Sequence, residues 1–382
     1  MSAPSQKSPL LLARADDAGP SSAHALSAAV DAGRLVRVRR GVYLETAAWL
    51  RSPPWERHVI AAAAQAAAHP ETIFCRETAL ALHGISLLET GQFVDRRVTS
   101  NADTGRRAPR SVTGAAPRSR LEQLDRAAGW GGRATRDGRN GERSLRNIPL
   151  RGFQYPQLYR SAVRRGLDLP PAQPYLDGLV ELAPPELDHV EVRGIPCRTE
   201  PLELAAVDTA HRMRFPSAVA VFDACRGGQH QAESGIQEDA LQHWGEVLPS
   251  GRSRARTRRA WDFTDGRAEN PGESWSRVLI HELGFQAPDL QTELFLPEGG
   301  RAYVDFFWED AKIVGEFDGD QKYLRASQFG MSAEEAVLKE KKREDDIRRM
   351  GYRVLRWDWA MLHSPQRLER LLRGAGVPRQ RR

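Results

Sequence analysis

Apolar and polar positions along this chain repeat with readable periods, and each change of period marks an element. Leu10, Leu11 and Leu12 open an apolar stretch that reads as a helix stopping at Gly19-Pro20. Ser21 and Ser22 then offer N-cap oxygens to a second helix, which carries Ala25, Leu26, Ala29 and Val30 on one face and ends at Gly33. Through Leu35-Val36-Arg37-Val38-Arg39 the period drops to two, with basic residues alternating. After Arg40-Gly41 the apolar pair Val42-Tyr43 completes a short hairpin. Two more helices follow between Pro54 and Ser86, WERHVIAAAAQAAAH and RETALALHG. In the last third, Pro271-Gly272-Glu273-Ser274 starts a helix whose residues Trp275, Val278, Leu279 and Leu283 recur at helical spacing up to Gly284. Strand-like runs occupy Gln291 to Leu296, Ala302 to Trp308 and Lys312 to Asp318, with a turn at Pro297 to Gly300 and a break at Glu309-Asp310. A basic helix and a final strand, in KEKKREDDIRRMGYRVLRW, close the pattern.

Helix, turn, helix and basic hairpin, in that order, predict an N-terminal winged helix. In such a unit the second helix enters the major groove, while Arg34, Arg37, Arg39 and Arg40 reach phosphates or the adjacent minor groove. The same pattern also fits a small helical domain with a solvated basic ribbon. The fold class read from the whole chain is α+β: a winged-helix region over 1–90, a mixed middle domain over 91–249, a basic linker over 250–271, and a C-terminal domain over 272–382 that opens as a helix followed by an antiparallel meander.

Composition narrows the function. A chain of 382 residues suggests two or three domains. With 40% hydrophobic and 28% charged residues it can build a core, which excludes wholesale disorder and fibrous folds. The net charge of +6 favours a polyanionic partner. It is unevenly spread. Arg96 to Arg165 holds seventeen arginines against five acidic residues, in a Gly- and Ser-bearing stretch that reads, over about 101–147, as a flexible basic insertion adding salt-sensitive affinity for DNA or serving as a solvated linker. The alanine-rich run Val59 to Ala68 is too short to span a bilayer, and the N-terminus has no apolar core for a signal peptide, so no membrane association and a cytoplasmic location are expected. Cys75, Cys197 and Cys225 stand alone, giving neither a disulfide framework nor a zinc motif, and the ten histidines show no metal-ligand spacing. No Walker loop, nucleophile elbow or dinucleotide fingerprint appears.

The sharpest chemistry lies in the late β-ribbon. If Glu309 and Asp310 form a two-residue loop, Trp308 faces Ala311, position 305 faces 314 and position 303 faces 316. Asp305 and Glu316 then become diagonal neighbours on one face, with backbones about 7–8 Å apart and carboxylates able to converge. Two carboxylates so placed repel and shift in pKa unless a cation neutralises them, and an all-oxygen donor pair suits Mg²⁺ or Mn²⁺ better than zinc. Glu273 sits in the first turn of the preceding helix.

Two resemblances sharpen these expectations. RRGVY followed by RETALALHGI resembles the N-terminal region of the AbiEi-type antitoxins, matching at Glu77, Ala79, Leu82, His83 and Gly84, while Cys75-Arg76 departs from that family's Ser-His start. PCRTEPLELAAVDTA is similar to a later helix start of the same family, with Glu203 in place of an arginine. This resemblance implies promoter binding as a repressor and a toxin partner. Glu273 followed by AYVDFFWEDAKIVGEFDGDQKYL resembles the PD-(D/E)XK nucleases, particularly their very short patch repair endonuclease-like branch, over about 272–372. It implies a restriction-endonuclease-like α/β/α sheet, a divalent metal on Asp305 and Glu316 and hydrolysis of a DNA phosphodiester, in phage defence or repair. One position departs: Asp318 stands where that superfamily places the lysine of its E-x-K motif. Asp318 then offers a third carboxylate, Lys322 the nearest amine, and Lys341 or Arg343 on the next helix a second cationic candidate. In a chain with fifty arginines and six lysines, five of those lysines, Lys312, Lys322, Lys339, Lys341 and Lys342, cluster here. The leading expectation is a metal-dependent DNA endonuclease; the alternative is an AbiEi-like repressor with an inactive nuclease fold.

Overall fold

In the computed structural model, which describes residues 7–13, 22–107, 112, 147–155, 175, 177–227, 236–245, 248–297, 299–319 and 333–380, the first helix starts where its cap predicts. The Ser22 hydroxyl accepts the Ala25 amide at 3.2 Å, and helix Ala23–Asp31 buries Leu26, Ala29 and Val30. Leu10 to Leu12 do not form a helix. Ser8–Pro9 (β1) and Leu11–Leu12 (β2) are short strands, because three apolar residues fix no period and the neighbouring hairpin offers backbone partners. The rest of the expected first helix falls outside the described residues. Strands Leu35–Arg39 (β3) and Val42–Glu45 (β4) form the expected hairpin, and β2 pairs with β4 to give a three-stranded sheet in the order β2-β4-β3.

The chain divides into two compact units, Met1–Arg212 with His230–Arg254, and Met213–Gln229 with Ala255–Arg382. Both mix helices with small sheets, so the α+β class holds. In the first unit, helices Pro54–Ala68 and Arg76–Leu82 lie where their patterns place them. The alanine face of Pro54–Ala68 joins Val36, Val38, Leu44, Trp49, Phe74 and Leu82 in one core, which also takes in Val94, Val192 and Cys197. Val94–Val98 (β5), Gly105–Arg107 (β6) and Leu150–Gln154 (β7) make a second sheet in the order β5-β7-β6. Val180–Leu182 (β8) pairs with Cys197–Thr199 (β10), and Val190–Glu191 (β9) pairs with β1. All three cysteines are buried free thiols. Most of the basic insertion, 108–111 and 113–146, lies outside the described residues.

A buried charge network fastens this unit. Arg97 donates to Glu200 at 2.6 Å and to Asp208 at 2.9 Å, and Arg76 donates to Asp208 at 2.8 Å. Tyr175 donates its hydroxyl to Glu200 at 2.8 Å. Burial alone would keep Asp208 protonated, yet Arg97 and Arg76 hold its pKa near 2.

In the second unit, helix Pro271–Glu282 begins at an Asn270 cap that accepts the Gly272 and Glu273 amides. It packs beside helix Phe215–Arg226, and Arg277 reaches Asp223 at 2.7 Å. The stretch read as a basic linker is helical over Gly251–Asp262, because its few apolar residues, Ala260 and Trp261 among them, are buried on one side while its arginines face out. Then come Asp289–Phe295 (β11), Arg301–Trp308 (β12) and Ile313–Asp318 (β13) in an antiparallel meander. Helix Ala333–Arg349 leads to Arg353–Asp358 (β14), which adds parallel to β13, giving the order β11-β12-β13-β14. Leu279, Ile280, Phe306, Phe317, Leu355 and Trp357 form the core on one face of this sheet, closed by helix Pro365–Ala375. On the other face Val304, Phe307, Val314 and Val354 pack with Ile347 of helix Ala333–Arg349. Among the described residues no helix is long and apolar enough to cross a membrane.

Removing Arg97 leaves Glu200 buried without its main counter-charge, so Arg97→Ala is expected to lower unfolding free energy by about 3–5 kcal/mol. Urea denaturation checks this; a loss below about 1 kcal/mol would show the network to be dispensable.

Candidate functional site

The hairpin between β12 and β13 is longer than its sequence suggests. Trp308 pairs with Ile313, Phe307 with Val314 and Phe306 with Gly315, so the loop holds four residues, Glu309 to Lys312. Lys312 closes it, donating its amide to the Glu309 carbonyl at 2.9 Å from a left-handed backbone (φ 51). The expected register is therefore wrong by two residues. A slip of two preserves the face and brings position 305 level with 316 instead of diagonal to it.

The ladder stops at Phe306 and Gly315, however, and the physical reason lies one strand away. Gln291 in β11 also has a left-handed backbone (φ 50), and no pair forms between Leu290↔Phe306 and Thr292↔Val304. Gln291 and Asp305 would have been that pair. The interruption switches faces: Leu290, Phe306 and Trp308 fill one core, while Leu294, Ala302, Val304 and Phe307 fill the other. Asp305 sits at the switch, where its carboxylate accepts the Phe317 amide at 2.7 Å. That hydrogen bond sets it against the peptide joining Glu316 to Phe317.

Glu273 approaches from helix Pro271–Glu282. Gly272 lets the helix come close, since a Cβ there would collide with the Phe317 ring. The Glu273 carboxylate accepts the Glu269 amide at 2.8 Å, the Gln291 side-chain amide at 3.2 Å and the Asn270 side chain. Burial, and then the negative charge of Asp305, push its pKa from 4.5 up to about 8. The mutual repulsion expected of Asp305 and Glu316 thus falls on Glu273 and Asp305.

Glu316 is 1% exposed and its Oε2 meets Arg343 at 3.1 Å. Arg343 also binds Glu340 at 2.8 Å and the Tyr303 carbonyl at 3.1 Å. Asp318 accepts Arg356 at 2.9 Å, and Arg356 further contacts Glu344 at 2.9 Å and Glu340 at 2.5 Å. Burial opposes ionisation of Glu340, yet Arg343 and Arg356 hold its pKa at about 2. Asp318 is therefore engaged by a guanidinium and adds no carboxylate to the Glu273–Asp305 pair. Arg343 is half-buried with its guanidinium on Glu316, Glu340 and the Tyr303 carbonyl, while Lys341 is exposed on the same helix. Lys322 lies outside the described residues. Among the described residues no group of three or more His, Cys, Asp or Glu side chains is arranged to hold a metal ion.

The other expected DNA contacts divide. Arg34 and Arg40 are exposed and Arg37 is half-buried. Arg39 is buried: its guanidinium donates to the Val38 and Ile148 carbonyls and to Asn147, and burial pushes its pKa down to about 10. It binds chain, not phosphate, because Asn147 and Ile148 cover the hairpin edge that the alternation left open. Gln291, Glu340 and Arg356 escaped the sequence reading. Only Arg356 left a signal there, as the basic residue inside the apolar β14 run.

Comparison with known proteins adds little chemistry. No family model and no solved structure matches. Two curated relatives, uncharacterized protein MT2308 of Mycobacterium tuberculosis strain CDC 1551 / Oshkosh and uncharacterized protein Rv2248 of strain ATCC 25618 / H37Rv, are each 26% identical over 150 residues. The match takes in 39% of this chain and 51% of each relative, so the chain spans about half the length of the curated relatives it matches.

A carboxyl with a raised folded pKa binds a proton in the fold that the unfolded chain has released, so stability falls as pH rises from about 4.5 to about 8, by at most about 1.4 kcal/mol per unit. Glu273→Gln is expected to flatten that slope and to raise stability at pH 8; equal slopes in both proteins would show Glu273 to be ionised in the fold. Gly272→Ala is expected to cost about 1–3 kcal/mol through overpacking on Phe317, measured by thermal or urea unfolding.

Proposed function

We propose that the chain acts on DNA, that its second unit is a PD-(D/E)XK-type, metal-dependent endonuclease domain, and that its N-terminal winged-helix region places it on the duplex. The observation that carries this reading is the meeting of Glu273, Asp305 and the Glu316–Phe317 peptide at the one place where the sheet ladder is broken. Support comes also from the element order of the unit. A helix, a three-stranded antiparallel meander, a second helix and a fourth strand parallel to the third follow the order that the resemblance implies.

The donor chemistry fits a hard cation. Mg²⁺ takes one or two carboxylates from a protein and leaves its other positions to water and substrate phosphate. Asp305 and Glu316 would hold it, and the raised pKa of Glu273 marks unbalanced negative charge beside Asp305. An ion bound there supplies polarisation of the scissile phosphate and a more acidic water. The chain's own residues do the rest. Gln291 and Asn270 hold the Glu273 carboxyl in place, and the Phe317 amide orients Asp305. Arg343, tied to Glu340, balances Glu316 and is the cationic candidate for a departing oxygen, a task that the resemblance gives to lysine. On the N-terminal side Arg34 and Arg40 contact the DNA backbone.

A second reading has its own observation. Glu316 and Asp318 already carry guanidinium partners, as they would in an inactive domain retained as a scaffold by a repressor with a toxin partner. One experiment separates the two. Supercoiled plasmid incubated with the full chain and Mg²⁺ is expected to be nicked or linearised, and Asp305→Asn or Glu316→Gln to slow this by at least about a hundredfold. Cleavage that persists in both variants removes these residues from the site. No cleavage by the unaltered chain, together with tight binding to its own promoter that Arg34→Ala and Arg40→Ala abolish, selects the repressor.

A further inference from the structure

The first unit contains a stacked column of arginine and phenylalanine that the proposed nuclease chemistry does not use. Arg106 of β6 lies over the Phe93 ring at 4.6 Å, and Arg151 of β7 lies over Phe93 at 4.7 Å and over Phe153 at 5.0 Å. Arg76 lies over Phe153 at 3.4 Å. Guanidinium and ring therefore alternate from Arg106 through Phe93, Arg151 and Phe153 to Arg76. The deep end is anchored: Arg76 holds a left-handed backbone (φ 52) and is tied to Asp208, strain that persists only where the surroundings over-determine it. Arg151, in the middle, is neutralised by Asp95 at 2.7 Å and Glu77 at 3.1 Å.

Arg106, at the outer end, is different. It stands directly opposite Arg151 in the β6–β7 register, a like-charge pairing that disfavours the sheet. It is exposed, and among the described residues it has no acidic partner. It opens onto a cleft of about 480 Å³ lined by Asn101, Thr104, Arg106, Arg151, Phe153 and Gln154, over a floor where Gly105 faces Gly152 and no side chain intrudes. The glycines are required there: Gly105 has φ +84, and a Cβ on Gly152 would strike the Asp103 carbonyl.

From this geometry we infer that the cleft binds an unpaired nucleotide of a nucleic-acid strand, its base stacked on the outer face of Arg106 and its phosphate met by the guanidinium edge. Unpaired bases stack on arginine planes and are read along their edges by side-chain amides, which Asn101 and Gln154 supply. A base held within a duplex presents no free face to continue the column. The site is built from residues of the first unit alone and needs no metal.

The test uses the full chain in EDTA, where hydrolysis by the proposed nuclease centre is silent, so its outcome does not depend on that reading. Fluorescence anisotropy is measured with labelled dT12, rU12 and a twelve-base-pair DNA duplex. Binding of dT12, rU12 or both is expected; preference for one names the strand's source. Arg106→Ala is expected to weaken single-strand binding by about tenfold, the size typical of losing one stacked base, while duplex binding changes by less than about twofold. Arg106→Lys, which keeps the charge but not the plane, is expected to lose most of the same affinity. The Arg106 side chain makes no hydrogen bond among the described residues and the backbone pairing of β6 is untouched by the substitution, so a thermal midpoint within a few degrees of the unaltered chain accompanies these losses. The inference is overturned if neither single strand binds, if Arg106→Ala binds as the unaltered chain does, or if Arg106→Lys restores full affinity.

Discussion

A carboxylate taken out of water must meet a cation or surrender its charge, and that requirement organises both units. In the first unit Glu200 and Asp208 are matched by Arg97 and Arg76. In the second, Asp223 is matched by Arg277 and Glu316 by Arg343. Each partner comes from a different element, so the ion pairs act as long-range fasteners between segments that local propensity could not bring together. Glu273 is matched differently. Its charged neighbour is another carboxylate, and it answers by holding its proton to about pH 8.

That difference coincides with the break in the sheet. A regular ladder through Gln291, Asp305 and Glu316 would put strand hydrogen bonds where the acidic side chains now gather. The left-handed turn of Gln291 removes one rung, and beyond the last β12–β13 pair, Phe306 with Gly315, the Phe317 amide is taken by the Asp305 side chain. Local strain of this kind costs on the order of 1–3 kcal/mol and is kept where the surrounding fold enforces it. The cores on either face, built on Phe306 and Trp357 and on Val304 and Phe307, supply that enforcement.

Much of this fold is legible in the sequence, for reasons that vary by element. Ser22 and Asn270 announce helix starts because a cap is a local hydrogen bond. The helices Pro54–Ala68 and Arg76–Leu82 and the three late strands follow from periodicity alone. Where the reading failed, the deciding contact was distant or unusual. The Leu10 to Leu12 stretch became a strand because Tyr43 and Val42 were waiting to pair. Arg39 was expected in solvent because Asn147, more than a hundred residues away, cannot be foreseen as its partner. The β12–β13 register slipped because Lys312, rather than a glycine or asparagine, takes the left-handed position. Asp305, Glu316 and Glu273 were all legible as acidic residues at suggestive spacing. Which two of them repel was decided by Arg343, whose reach toward Glu316 no spacing rule contains.

The parallel placement of β14 beside β13 fixes an order of assembly. An antiparallel meander closes through short loops and can form as soon as Asp318 has left the ribosome, whereas a parallel neighbour must wait for a long crossover to be synthesised and closed. Glu316, central in the finished sheet, receives its guanidinium only with that crossover's helix. Until then the growing chain holds a sheet with an open β13 edge and an unbalanced carboxylate. Strand β14 and the helix before it thus close the β13 edge and balance Glu316 together, so a meander without them leaves both open.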